Sequence, residues 1–160
     1  MIGSLNLRPK LGRRSYRRVD DRFLLVCIFD PTGITTVYEN IALWQKFSRY
    51  RIEIFNLWPS GGNLLTVPNT IDLTDYAGLI VHCTASYDPD NLYQLDKGMT
   101  RPLEQYDGVK VLMKQDEHFH TNRLAKYIGR KKFDLAMTCI APEERSKVYP
   151  ARVVGDAQFL

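Results

Sequence analysis

The sequence lacks any apolar run near the ~18–20 residues that a bilayer span needs. Its N-terminus also lacks the apolar core of a signal peptide. Both absences point to a cytoplasmic protein. Cysteine is scarce: Cys27, Cys83 and Cys139 are odd in number and include no CxxC pair. That excludes a disulfide framework or a thiolate zinc cluster. Each lies in or at the end of an apolar run, so the three read as small buried residues in a reducing compartment. GxGxxG, GxxxxGK with Ser or Thr, and GxSxG are all missing, which excludes the usual Rossmann dinucleotide site, P-loop phosphate transfer and a serine nucleophile elbow. Negative charge is absent from residues 1–19, which hold Arg8, Lys10, Arg13, Arg14, Arg17 and Arg18. The chain as a whole is +4, so residues 20–160 carry a net −2. The basic character therefore belongs to the tail. A solvated arm and a contact with an anionic membrane surface are the two readings of it. Tyr16 is its sole aromatic, too little of a stacking platform to suggest nucleic acid.

What is present suits one globular domain: 160 residues, 44% hydrophobic and 25% charged. Residues 1–21 read as the tail and 22–160 as the domain. Arg22–Phe29 is a continuous apolar run, expected of a strand covered on both faces. Asp30-Pro31-Thr32-Gly33 breaks it with turn chemistry. A helix follows from Thr35 or Thr36 to about Arg49, with Val37, Ile41, Trp44 and Phe47 at helical spacing. Arg51–Leu57 alternates as a second strand, and Gly78–Cys83 is a third, buried one. Weak helices are expected over 90–95 and 101–106. Asp107-Gly108 turns the chain into a fourth strand, Val109–Met113. A helix over 122–130 presents Leu124, Tyr127 and Ile128 to the core, with Arg130, Lys131 and Lys132 at its negative end. Phe133–Cys139 is a fifth strand. Pro142, Glu143 and Glu144 open a short helix that stops by Pro150. The chain ends at Phe159-Leu160 inside what reads as a sixth strand. Strands alternating with helices predict a three-layer Rossmann-like or flavodoxin-like α/β fold: a parallel sheet of five or six strands with helices on both faces and right-handed crossovers.

Three strand-end loops carry the candidate chemistry, and that topology brings them to one rim, where open α/β sheets bind ligands. They hold Asp30, Thr32 and Gly33; then Ser86 and Tyr87; then Lys114-Gln115-Asp116-Glu117-His118-Phe119-His120, with Asn122 just beyond. A core connection has no need of a Lys, a Gln, two acids and two imidazoles in a row. The acids and imidazoles invite a metal, but they crowd into five positions with no distant partner, so no metal and no cofactor are expected. Two readings remain. Asp116 caps the following helix and the imidazoles are solvated, or the loop binds a polar ligand through hydrogen bonds and acid–base chemistry.

Several phrases in order resemble a group of bacterial glycosyltransferase-like proteins: Val109–Glu117, Asn122-Arg123, Phe133–Cys139, Pro142-Glu143-Glu144 and Lys147-Val148-Tyr149-Pro150. An earlier phrase, Asp75-Tyr76 followed by Leu79-Ile80-Val81-His82, fits the same group. The likeness runs from about Arg22 to Tyr149. It implies the N-terminal Rossmann-like domain of a GT-B enzyme, such as those similar to spore-protein glycosyltransferases. Such an enzyme uses a sugar-nucleotide donor and a glycan or other hydroxyl acceptor. By the resemblance, this domain shapes the acceptor side and a C-terminal domain carries most of the donor site, so the chain is inactive without that domain. Asp116, Glu117 and His118 are then the catalytic candidates. Asp30, Thr32, Gly33, Ser86, Tyr87, Lys114, Gln115, His120 and Asn122 would line the substrate cleft. The competing reading is a non-catalytic flavodoxin-like binding or receiver-type signalling module, for which the acids at strand ends and a strand-end Lys speak.

Overall fold

The structure, a computed structural model, describes residues 21–33, 35–59, 62–98 and 102–160. The basic tail, apart from Asp21, lies outside the described residues.

Six strands form one all-parallel sheet in the order β2-β1-β3-β4-β5-β6. These are β1 Arg22–Cys27, β2 Arg51–Asn56, β3 Gly78–Val81, β4 Val109–Met113, β5 Leu135–Met137 and β6 Gln158–Phe159. The central strands are apolar on both faces, as burial on both sides requires: β3 is buried at all four residues and β1 at its last four. The register runs Phe23 opposite Gly78 and Gly78 opposite Val109. Two- and three-residue strands at the far edge are shorter than the apolar run Phe133–Cys139 suggests, because Thr138 and Cys139 turn away to meet the loop after β4.

Helices lie on both faces. Helix α1, Thr35–Phe47, connects β1 to β2 and places Val37, Ile41 and Trp44 on one face. Phe47, which continues that helical spacing, is 72% exposed instead. The crossovers after β3, β4 and β5 step in the opposite direction, so their right-handedness puts them on the other face. There sit α2 Cys83–Ser86, α3 Leu92–Gly98, α4 Thr121–Lys131, α5 Arg145–Val148 and α6 Ala151–Val154. Three-residue 3-10 turns occupy 73–75, 89–91 and 103–105. Of the expected helix from Pro142 to Pro150 only the single turn α5 is helical, since Pro142–Glu144 form a turn before it, and α6, beyond Pro150, is a further turn that the sequence did not suggest.

Helix α4 follows directly from its sequence. Leu124, Ala125, Tyr127, Ile128 and Lys131 form its buried stripe, and Arg130 and Lys131 sit at its C-terminal end. Lys131 is buried as an ion pair: its Nζ donates to Glu104 at 3.0 Å and lies 3.2 Å from Asp96. Lys110, 2% exposed on β4, is satisfied differently, by the carbonyls of Leu103 at 3.3 Å and Tyr106 at 3.1 Å. Gly129 lets α4 touch α6, since a Cβ there would stand 1.9 Å from the Val153 carbonyl oxygen. Gly129→Ala is therefore expected to cost about 1–3 kcal/mol, read as a lower urea midpoint at unchanged m-value.

Candidate functional site

The strand order 2-1-3-4-5 reverses its winding between β1 and β3, which makes that junction the topological switch point. Its geometry is set by side chains. The Ile28 amide donates to Thr84 Oγ1 at 3.0 Å, binding the two strand exits together. Asn56 clamps the Phe29 backbone on the other side, its Oδ1 accepting at 3.1 Å and its Nδ2 donating at 2.8 Å. That side-chain amide extends the β1–β2 ladder by one rung.

His82 stands at the exit of β3 and is 2% exposed. It lies outside the strand, one residue beyond Val81, and caps α2 by accepting from the Thr84 amide at Nδ1. The Thr84 hydroxyl lies 2.9 Å from the same nitrogen, and Asn40 Oδ1 lies 3.0 Å from Nε2. Nδ1 accepting and Nε2–H donating to Asn40 is the assignment that satisfies every partner. Burial pushes the imidazole down to about 4, so it is neutral at pH 7.

The loop after β4 is built around Lys114, 4% exposed. Its ammonium donates to the Tyr87 carbonyl at 2.8 Å and sits 5.2 Å from the Tyr87 ring centroid. Burial lowers its pKa, opposed by the nearby charges of Glu117, Asp116 and Asp88. Tyr87 stacks on Phe119 at 5.6 Å, and the Ser86 hydroxyl donates to the Met113 carbonyl. The exits of β3 and β4 are thus tied at three points. Ser86 is wholly buried in this role, while Tyr87 remains 44% exposed.

Glu117 reaches the other way. Its Oε1 accepts from the Thr138 hydroxyl and, at 3.0 Å, from the Cys139 amide. Tyr149 is 4% exposed and its hydroxyl is buried without a hydrogen-bond partner among the described residues; burial, then the Glu117 charge, push its pKa up. Glu117, Thr138 and Cys139 are therefore bonded directly, with the buried Tyr149 within reach of the Glu117 charge. Asp116 and His120, with φ of 59° and 50°, adopt the left-handed region at both ends of the turn. Non-glycine residues rarely do so, and such outliers cluster at functional positions. His120 occupies the N-cap of α4 without a side-chain capping bond, so Asp116 is not the cap. Gln115, Asp116, His118, His120 and Asn122 are exposed along this edge.

The loop after β1 is more self-contained. Asp30 Oδ1 accepts from both the Thr32 amide and hydroxyl at 2.8 Å, which holds its carboxyl below the usual range, and the Gly33 amide donates to the Asp30 carbonyl. The three candidates Asp30, Thr32 and Gly33 are thus engaged with one another. Of the cysteines, only Cys27 is buried; Cys83 is half-buried and Cys139 exposed, and all three are free. No group of acids, imidazoles and thiols among the described residues could hold a metal ion. The roles of Asn40, Asn56 and Thr84 gave no sequence signal, since their partners stand 42, 27 and 56 residues away.

No protein family and no curated protein matches the chain. One solved structure that does is the regulatory domain of the master biofilm regulator CsgD, 14% identical over 86% of this chain and 92% of that one, with a TM-score of 0.39. A likeness that distant says nothing of ligand or activity.

Because His82 is neutral when folded and takes a proton near pH 6.5 when unfolded, stability is full above about 6.5 and falls as pH drops toward about 4. His82→Gln is expected to flatten that window by on the order of 3 kcal/mol, measured as the pH dependence of the urea midpoint against the parent chain.

Proposed function

We propose that the chain is the acceptor-side half of a sugar-nucleotide-dependent glycosyltransferase, with the carboxyl edge around Lys114–His120 as the acceptor wall. One observation carries this reading. Three of the phrases that resemble the glycosyltransferase-like group come together: Glu117 accepts from Thr138 and Cys139, and its charge acts on the buried Tyr149. The parallel topology brings these strand exits to one rim, and the direct bonds of Glu117 to Thr138 and Cys139 are what support the reading.

The geometry divides the labour among the candidates. Glu117 has a carboxylate oxygen committed to Thr138 and the Cys139 amide, so it is a positioning residue. Asp116 is exposed beside it, in a left-handed conformation that turns the loop outward. In an inverting transfer it takes the proton of the acceptor hydroxyl while that oxygen attacks the anomeric carbon and the nucleotide departs. Gln115, His118, His120 and Asn122 are exposed polar groups able to bond further hydroxyls, and Lys114 holds the loop against Tyr87. The donor and the C-terminal domain that would bind it complete the reaction.

The strand order favours a second reading, a flavodoxin-like binding or receiver-type module. A receiver expects paired acids after the first strand. Here Asp30 stands without a second acid in that turn, its oxygen held by Thr32.

Amide shifts of the chain separate the two. A glycan acceptor is expected to move Gln115–His120, and nucleotide alone to move nothing. Asp116→Asn keeps the fold and weakens the response, while Glu117→Gln lowers stability by about 1.5–3 kcal/mol through loss of charge-assisted bonds. In the two-domain enzyme Asp116→Asn lowers kcat by about 10²–10⁴. Magnesium-dependent uptake of phosphate from a small phosphodonor, with no response to glycans, would replace this reading by the receiver.

A further inference from the structure

The rim carries an aromatic surface beside its polar residues. Tyr87 follows the single turn α2 as its C-cap and is 44% exposed. Its ring stacks on that of Phe119, with centroids 5.6 Å apart and planes 14° from parallel. His120 sets its ring edge-on to Phe119, at 4.1 Å and 72°. A scattered exposed ring is ordinary, but three in contact at a strand-end edge make a contiguous patch. The patch is also held in place. Buried Lys114 bonds to the Tyr87 carbonyl and lies over one face of the Tyr87 ring. The turn that begins at left-handed Asp116 brings the Phe119 amide back to the Asp116 carbonyl, at 3.3 Å, and left-handed His120 closes it. The two strained residues thus bracket Phe119 and set its ring against Tyr87.

The face of an aromatic ring is negative. It attracts C–H bonds that neighbouring oxygens have made slightly positive. A pyranose with equatorial substituents presents such C–H bonds on each face and hydroxyls around its edge. Those hydroxyls call for hydrogen-bonding side chains beside the platform, and Gln115, Asp116 and His118 stand exposed in the same turn. A nucleobase would stack on the rings equally well, so charge decides between the two. Asp88, Asp116 and Glu117 all act on the Lys114 ammonium, which is already bonded to Tyr87. The next cation along, Arg123, is paired with Asp90. Three acids about one committed cation repel a phosphate and leave an uncharged sugar unaffected.

We propose that Tyr87 and Phe119 form the platform on which an uncharged pyranose ring of the acceptor stacks, its hydroxyls bonded by the exposed polar residues of the turn. This rests on the acceptor-side reading and adds to it the class of ligand. Lys114 acts through Tyr87, as a positioning residue for the platform.

Saturation-transfer NMR of the whole chain with methyl β-glucopyranoside at millimolar concentration tests this. Saturating the aromatic resonances is expected to reach the axial protons of one sugar face more than those of the other. Tyr87→Leu and Phe119→Leu are each expected to weaken binding about fivefold. Tyr87→Phe and Phe119→Tyr keep it, which separates loss of the platform from loss of the fold. Undiminished binding in both Leu variants overturns the platform and leaves the acceptor-side reading standing. Absence of transfer to the pyranoside in the parent chain overturns it too; whether other glycans still shift Gln115–His120 then decides the acceptor-side reading separately. Stacking of uridine monophosphate in place of the pyranoside also overturns the proposal and assigns the rim to a nucleotide.

Discussion

The junction between β1 and β3 is the constraint on which the remaining architecture rests. Two neighbouring strands there send their chains to opposite faces, so their ends separate and expose backbone groups that no third strand can pair. Thr84, His82 and Asn56 satisfy those groups with side chains, and Asn40 holds the His82 ring in place. An unpaired buried donor costs about 1–3 kcal/mol, so a parallel sheet wound in two directions depends on such substitutes. His82 has to be neutral for this, since a charged imidazole would be buried among neutral partners.

The same logic extends along the rim. Lys114 and Glu117 are the two charged groups most deeply engaged in the loop after β4, and each points away from the other's partner. Lys114 draws in the exit of β3 through Tyr87, and Glu117 draws in the exit of β5 through Thr138 and Cys139. A seven-residue turn held from both sides can keep Asp116 and His120 in left-handed conformations that a loose loop would relax out of. The exposed polar residues between them are thereby presented on a rigid frame, which is what a binding edge requires.

The two faces of the sheet are covered by different means. One receives every crossover after β3 and carries the larger cluster, with Lys110 and Lys131 buried through carbonyls and carboxylates. The other has a single described helix. This asymmetry is a consequence of strand order, since a right-handed crossover that always steps the same way always lands on the same side.

Much of the fold was legible in the sequence. Apolar runs bounded by Asp-Pro-Thr-Gly and Asp-Gly located the strands, and the stripe of Leu124, Tyr127 and Ile128 located α4, because burial imposes a period that composition reveals. The rim was legible too, as an excess of polar residues where strand should yield to helix. Phe47 and Cys139 fit the same apolar patterns and are nonetheless exposed, since a period says which face a residue takes and not whether anything lies against it. Strand order, the ends of β3 and β5, and the placement of Glu117 inward and Asp116 outward belong to tertiary structure alone. Each depends on a contact between residues many positions apart, such as Glu117 with Cys139 or Ile28 with Thr84, and local sequence carries no record of such distances.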